Sequence, residues 1–344
     1  MSNSKIEWTD WTDNPIGLKG SMANYCVKVS PACKNCYAES MSRRLSAMGE
    51  DPMFYPYKVM DAPPEMELRR KVIDGWARMK KPRKIFVGSM TDIFADWVPD
   101  AWLIEIFDAM CAARRQTFQV LTKRALRMRL FINEYCKDKG LIAIPPHIWV
   151  GVTVESQENY ENRIQHLLGA RVSIRWLSIE PLLGPINMRL NEAVEFDVSG
   201  FINKSVGQML HWVVVGGESA SVEKCRPMHP EWARYIRDQC QTEGIPFFFK
   251  QSGSWTPLSK RPDKMAGKNQ YCFIKHVDTH RKDIPEFHRP ETSFIATVLS
   301  ICMDSRDQWF QWSKNKWDKL DGIEYKNFPF VITINNSFRL QSGI

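Results

Sequence analysis

The sequence predicts an α/β fold, a partial parallel (β/α) barrel with a C-terminal extension. Three observations predict it. First, six short apolar runs recur between turns: Ile85-Phe86-Val87, Phe118-Gln119-Val120-Leu121, Ile148-Trp149-Val150-Gly151-Val152, Ile174-Arg175-Trp176-Leu177-Ser178-Ile179, Trp212-Val213-Val214-Val215 and Pro246-Phe247-Phe248-Phe249. Their shortness and their β-branched and aromatic content fit strands buried on both faces. Second, amphipathic stretches of helical length lie between most of them. Third, each run is followed at once by charged or hydroxyl residues, at the edge where parallel α/β folds build their sites. A doubly wound open sheet is the alternative arrangement.

Taken in order, residues 6–25 hold Trp8, Trp11, Asn14-Pro15, Gly17 and Gly20 and read as an irregular lead-in. Tyr37 to Met48 has helical composition. Residues 51–64 carry Pro52, Pro56, Pro63 and Pro64 and read as a loop, and Glu65 to Lys80 reads as a second helix. Further helices are expected over 99–115, 125–137, 157–168 and 230–243. The first of these opens with Val98-Pro99-Asp100, a start signal because a first-turn proline forfeits no helical hydrogen bond. The gap 182–210 is longer than the other connections and reads as an insertion. From Ser252 the rhythm stops, which divides the chain into 1–255 and an extension, 256–344.

Ahead of the strands lies Cys26-Val27-Lys28-Val29-Ser30-Pro31-Ala32-Cys33-Lys34-Asn35-Cys36-Tyr37, with cysteines in a C-x6-C-x2-C pattern. A closed structural zinc site wants four protein ligands. A cubane iron–sulfur cluster takes one thiolate per iron, so three thiolates leave one iron open. An open iron beside S-adenosylmethionine (SAM) is the arrangement of radical chemistry. A zinc knuckle completed by a distant His or Cys, redox-reactive thiols and plain core cysteines are the competing readings. Cys111 and Cys240 fall within helix candidates and read as small core residues. Cys272, His276 and His280 share a helical spacing that reads as coincidence.

The strand ends supply the remaining candidates: Ser89 and Asp92 after the first run, Thr122, Lys123 and Arg124 after the second, and Thr153 and Glu155 after the third. Glu180 follows the fourth, Gly216, Gly217 and Glu218 the fifth, and Lys250-Gln251 the sixth. Carboxylates suit the amino group and ribose of SAM, Lys123-Arg124 suits a carboxylate or phosphate, and glycine amides allow close approach. Any buried strand also ends in polar residues as it meets water. Asp92 and Glu155 could equally be helix-capping carboxylates.

The 344 residues are 44% hydrophobic, enough for a real core, and the net charge of +8 is compatible with a nucleic-acid partner. No apolar stretch approaches the roughly 20 residues of a membrane span. The start shows no signal-peptide run, so a cytoplasmic location is expected. Residues 256–344 hold 14 basic against 10 acidic residues and end in an aromatic-basic stretch: Trp309, Phe310, Trp312, Lys314, Lys316, Trp317, Lys319, Tyr325 and Lys326. That stretch either packs on the barrel or stacks on bases and contacts phosphates.

Several motifs together resemble a known family. They are Ile6-Glu7-Trp8-Thr9-Asp10, Asn14-Pro15, Val29 to Glu39, Phe86 to Phe94, Phe118 to Arg124, Glu180 to Pro185, Val215 to Ser219 and Phe247 to Gln251. In this order, over roughly residues 5–255, they resemble the phage and prophage three-cysteine-motif proteins, a family of unknown function and a divergent branch of radical SAM proteins. The resemblance implies a barrel of radical SAM type with a [4Fe-4S] cluster on Cys26, Cys33 and Cys36. Some members are encoded beside a partner protein named for the motif, which admits a protein partner here. The resemblance names neither a substrate nor an electron donor. The first cysteine gap departs from the commonest radical SAM spacing, and Asn35 stands where an aromatic is common. Gly216-Gly217-Glu218 follows the fifth strand instead of the second, so the usual amino-group role does not transfer to it, and Gly88-Ser89-Met90 takes that position. Two functions are therefore expected in competition: a SAM-dependent radical enzyme acting on a nucleotide or DNA base, and a zinc-binding nucleic-acid module.

Overall fold

The computed structural model of the chain describes residues 2–4, 6–47, 55–57, 63–194, 204–220, 225–226, 228–257, 309–311, 319–320 and 323–329. Its centre is an eight-stranded sheet. The strands are β1 (Ser2–Asn3), β2 (Trp11–Asp13), β5 (Lys84–Val87), β6 (Thr117–Thr122), β7 (Ile144–Thr153), β8 (Val172–Ile179), β9 (Trp212–Gly216) and β10 (Phe247–Gln251), in that spatial order. Two short strands pair beside it, β3 (Ile16–Leu18) with β4 (Met66–Leu68). β1 is antiparallel to β2; the seven strands from β2 to β10 are parallel and curl into a half-barrel. The order never reverses along the sheet, so it has no switch point of the kind a doubly wound sheet has.

Helices cover the outer face: α2 (Arg70–Trp76), α3 (Asp100–Ala112), α4 (Ala125–Asp138), α5 (Gln157–Leu168) and α7 (Pro230–Thr242), with the short α6 (Val206–Met209) before β9. The two-residue period of the strands sorts their side chains between two cores. Ile85, Val87, Val120, Val150, Leu177, Val213 and Phe247 join the helices. Phe86, Trp149, Ile174, Trp176, Trp212, Val214 and Phe248 face the concave side, where Trp8 from the lead-in packs among them. The Trp8 ring lies 4.8 Å from Phe86 and 5.3 Å from Trp176. The half-barrel is therefore filled with indoles, each taking roughly 150–250 Å² out of water.

Helix starts follow the sequence. Pro99 caps α3, Ser156 caps α5 by accepting the Asn159 amide, and Pro230 opens α7. α1 (Tyr37–Ser46) lies where helical composition placed it. Two readings are corrected. The lead-in is not irregular: Trp11–Asp13 extends the parallel sheet and Ile16–Leu18 forms the small antiparallel pair. Residues 65–80 are not one helix, because Met66–Leu68 is that pair's second strand and the helix begins only at Arg70. Of the proposed insertion, Leu182, Ile186, Met188 and Leu190 are buried in the core.

Part of the extension also belongs to this body. β11 (Trp255–Pro257) pairs with β12 (Trp309–Gln311), and β13 (Lys319–Leu320) with β14 (Ile323–Glu324). Residues 325–328 run antiparallel beside β10: Phe249 donates its amide to the Tyr325 carbonyl, and Trp212 Nε1 donates to the Asn327 carbonyl at 2.8 Å. The Phe328 ring lies tilted 5.3 Å from Trp212 and edge-on 5.4 Å from Phe248, and Lys326 pairs with Glu7. For Tyr325 and Lys326, packing is what the structure shows. Trp312, Lys314, Lys316, Trp317, Cys272, His276 and His280 lie outside the described residues. No helix among the described residues is long and apolar enough to cross a membrane.

Candidate functional site

The three cysteines lie on a loop that crosses the C-terminal edge of the parallel strands. Local bonds give the loop its shape. A turn over Pro31–Cys33 is closed by the Cys33 amide to Ser30 O and the Lys34 amide to Pro31 O. Cys36 then stands at the N-cap position of α1, its side chain making no capping bond. Long-range bonds place the loop on the sheet. Thr91 Oγ1 donates to Tyr25 O at 3.0 Å, just before Cys26, and Tyr37 Oη donates to Ser89 O at 2.8 Å. Asn14, from the lead-in, accepts the Met90 amide at 2.8 Å and meets the Ser89 hydroxyl. The far end of the loop reaches β9, where Asn35 Nδ2 donates to Glu218 at 3.0 Å.

All three thiols are free and partly exposed. Burial of the sulfur pushes the Cys26 thiol up to about 11, with the Asp92 carboxylate adding to the effect and Arg124 opposing it. Burial also raises Cys36, against the Lys123 ammonium and the amides of Ala38 and Glu39 at the helix start. Cys36 feels both Cys26 and Cys33, so the three thiols form one electrostatic group. Among the described residues, no three His, Cys, Asp or Glu side chains converge so as to hold a single metal ion. A cluster makes a different demand, because each thiolate binds its own iron at a separate corner. A zinc ion and a cluster would both draw on these same three thiols.

The strand-end candidates divide by the direction in which the strand turns them. Thr153, Ser178, Glu180, Gly216 and Lys250 alternate in phase with the inward-facing Trp149, Trp176, Val214 and Phe248 and so share the concave face. There Lys250 Nζ meets Glu180 Oε1 at 2.8 Å and Ser178 Oγ donates to Glu180 Oε2. Tyr37 feels the charge of Glu180, and Cys36 that of Lys123, so this polar layer sits beside the cysteine loop.

Other candidates are bound into the framework. Asp92 accepts from the amides of Phe94 and Lys123, from Thr122 Oγ1, and from Arg124 Nη1 at 3.1 Å, tying the loops after β5 and β6 together. Glu155 is fully buried and turns to the helical side, pairing with Arg163 of α5 at 2.8 Å. Gly217 is required by packing, since an added Cβ would sit 2.1 Å from the Ser252 carbonyl oxygen; at Gly216 it would sit 2.6 Å from Glu180 Oε1, a side-chain end that can move aside. The Gly217 amide is already given to Gln251 O.

Glu218 is 4% exposed and accepts Asn35 Nδ2, the Arg226 amide and the Arg226 guanidinium. Burial opposes its charge, but the bonds from Arg226 and Asn35 outweigh burial and hold its carboxyl below the ordinary value. Sequence reasoning did not single out Arg226, Asn14 or Tyr57 for the site. Tyr57, whose hydroxyl donates to Met90 O at 2.9 Å, and Asn14 hold loops; Asn14 follows β2, a three-residue strand that no sequence pattern marks, and Tyr57 lies in the proline-rich segment read as a loop.

Fold and site together define a class: a parallel α/β half-barrel with a three-thiol loop held across the C-terminal edge of its strands. The chain belongs to the family described as protein of unknown function DUF5131, whose profile matches residues 3–329. No curated protein and no solved structure matches it. The match runs well past residue 255, so most of the segment set apart as an extension shares the family with the barrel.

Proposed function

We propose that this protein is a SAM-dependent radical enzyme in which Cys26, Cys33 and Cys36 hold a [4Fe-4S] cluster. The observation that carries the reading is the placement of three free thiols on one loop over the polar edge of a parallel half-barrel. When bound, such a cluster supplies one electron to cleave the sulfonium of SAM. The chain's own residues do the rest. Glu180 and Lys250 present opposite charges on the concave face, complementary to the amino and carboxylate groups of SAM, and Lys123 adds a cation beside Cys36. Thr153 and Ser178 offer hydroxyls to a ribose. The layer of Trp8, Trp149, Trp176 and Trp212 closes the concave face below and keeps water from that side. The net charge of +8 favours an anionic substrate, such as a nucleotide or a DNA base.

Anaerobic reconstitution tests the reading. The wild-type protein should take up about four irons, as one cubane cluster requires, and release methionine and 5′-deoxyadenosine from SAM. Cys33→Ala and Cys36→Ala should lose the iron, and Cys111→Ala should keep it. A protein that instead binds one zinc and leaves SAM intact is the nucleic-acid module that shares this cysteine pattern.

A further inference from the structure

The ligand loop is held from two sides, and the two sides are built differently. Near Cys26, Thr91 and the Asp92–Arg124 pair fix the chain to the ends of β5 and β6. Beside the Tyr37 bond to Ser89 O, the turn that carries Cys33 and Cys36 is tied to the opposite part of the sheet through one carboxylate. Glu218 Oε2 accepts Asn35 Nδ2 at 3.0 Å, the Arg226 amide at 2.8 Å and Arg226 Nε at 3.0 Å, and Arg226 Nη2 reaches Glu218 Oε1. The same Nη2 donates at 3.1 Å to Pro31 O, which also accepts the Lys34 amide that closes the turn. Glu218 is itself anchored, its carbonyl accepting from the Ser254 amide and from the Cys225 thiol. Residues 183 and 195 positions apart are joined this way, and no local sequence pattern would hold Asn35 and Pro31 in their places.

We infer that Glu218 and Arg226 are positioning residues: they hold the Cys33–Cys36 turn in its ligand-bearing shape before any metal arrives. The inference rests on the reading that these thiols bind metal, and it removes Glu218 from the groups that touch the cofactor. A buried carboxylate satisfied from Asn35 and Arg226 has little left to offer a ligand. What it supplies is preorganisation of the donors.

The test uses the full chain, free of metal, exposed to a maleimide for timed intervals and read cysteine by cysteine by mass spectrometry. In Glu218→Gln and Arg226→Met, Cys33 and Cys36 should label about ten-fold faster or more, the scale of one lost charge-assisted bond, while Cys26 stays within about two-fold of wild type. Cys136 and Cys240 are fully buried and report on the fold, so they should stay unlabelled. Iron affinity should fall by about 10–100-fold, as for other groups that orient ligands from behind. If Cys136 and Cys240 become reactive in Glu218→Gln, Arg226→Lys decides the question, since it keeps the charge and loses the bridge to Pro31. Wild-type labelling of Cys33 and Cys36 in all three variants overturns the inference, and so does a uniform rise at every cysteine. If wild-type protein binds no iron, the metal reading fails, and the labelling pattern still shows whether the latch holds the turn.

Discussion

Replacing Asp92 by Asn probes the joint between the cysteine loop and the first two parallel strands after the lead-in. The side chain keeps its shape and loses one acceptor oxygen. Oδ2 now accepts the Lys123 amide and Arg124 Nη1, both at 3.1 Å, in a pair whose side chains are only 10% and 8% exposed. An amide nitrogen in that place accepts neither. Each hydrogen bond to a charged group contributes about 1.5–3 kcal/mol, and breaking a buried ion pair from one side costs about 3–5 kcal/mol. Arg124 retains Asp96 at 3.5 Å, but that carboxylate is 82% exposed and offsets little. The expected loss is therefore about 3 kcal/mol, toward the lower end of that range. At about 2–4 °C per kcal/mol, the thermal midpoint should drop by about 6 °C or more. The Cys26 thiol should also ionise more readily, because the Asp92 charge that helps raise it is gone. Calorimetry and urea titration measure the first effect, and thiolate absorbance against pH the second. The double variant Asp92→Asn/Arg124→Met should lose less than the sum of its parts, since no charge is then stranded. A loss below about 0.5 kcal/mol, the level of an ordinary surface change, would refute the argument.

Arg163→Met should cost about 3–5 kcal/mol by stranding the fully buried Glu155, and Glu155→Gln in the same chain should recover part of it; equal midpoints for the single and double variants in urea would contradict this. Glu218 has a lowered pKa in the folded protein, so its contribution is complete above the ordinary value of 4.5 and is lost as pH falls through the lower folded value. Thermal midpoints of wild type and Glu218→Gln should accordingly converge in acid and separate toward neutral pH. Phe328→Ala should cost about 2 kcal/mol, less than for a fully buried phenylalanine because Phe328 is half-buried against Trp212 and Phe248. An unchanged urea midpoint would mean that residues 325–328 rest on the sheet without stabilising it.

Some of this protein was legible in the chain because its cause is local. The runs at 85–87, 118–121, 148–152, 174–179 and 212–215 are strands in the structure, as is the sixth from residue 247 on, and the helix expected over 157–168 has those bounds. Period and length are properties of consecutive residues, so they survive without knowledge of the fold. The cysteine spacing and the polar residues closing each strand are local in the same sense. The pairing of strands is not local. Trp11–Asp13 and Met66–Leu68 are three residues long and carry no alternation, and only their partners at 85–87 and 16–18 make them strands.

Tertiary structure also decided which polar residues share the site. Glu155 and Glu180 both follow apolar strands and looked alike in sequence. The first turns outward to Arg163, while the phase of β8 carries the second inward to Lys250. Glu218 stood out as a carboxylate at the end of an apolar strand, and in the structure that carboxylate is bonded by Asn35 and Arg226. Its partners, Asn35 and Arg226, are set by where the curled sheet brings the end of β9 across to the cysteine loop. A residue's type and period are written in its neighbours along the chain. The direction its charge faces, and what neutralises it, depend on a curvature summed over seven strands, which no short window of sequence contains.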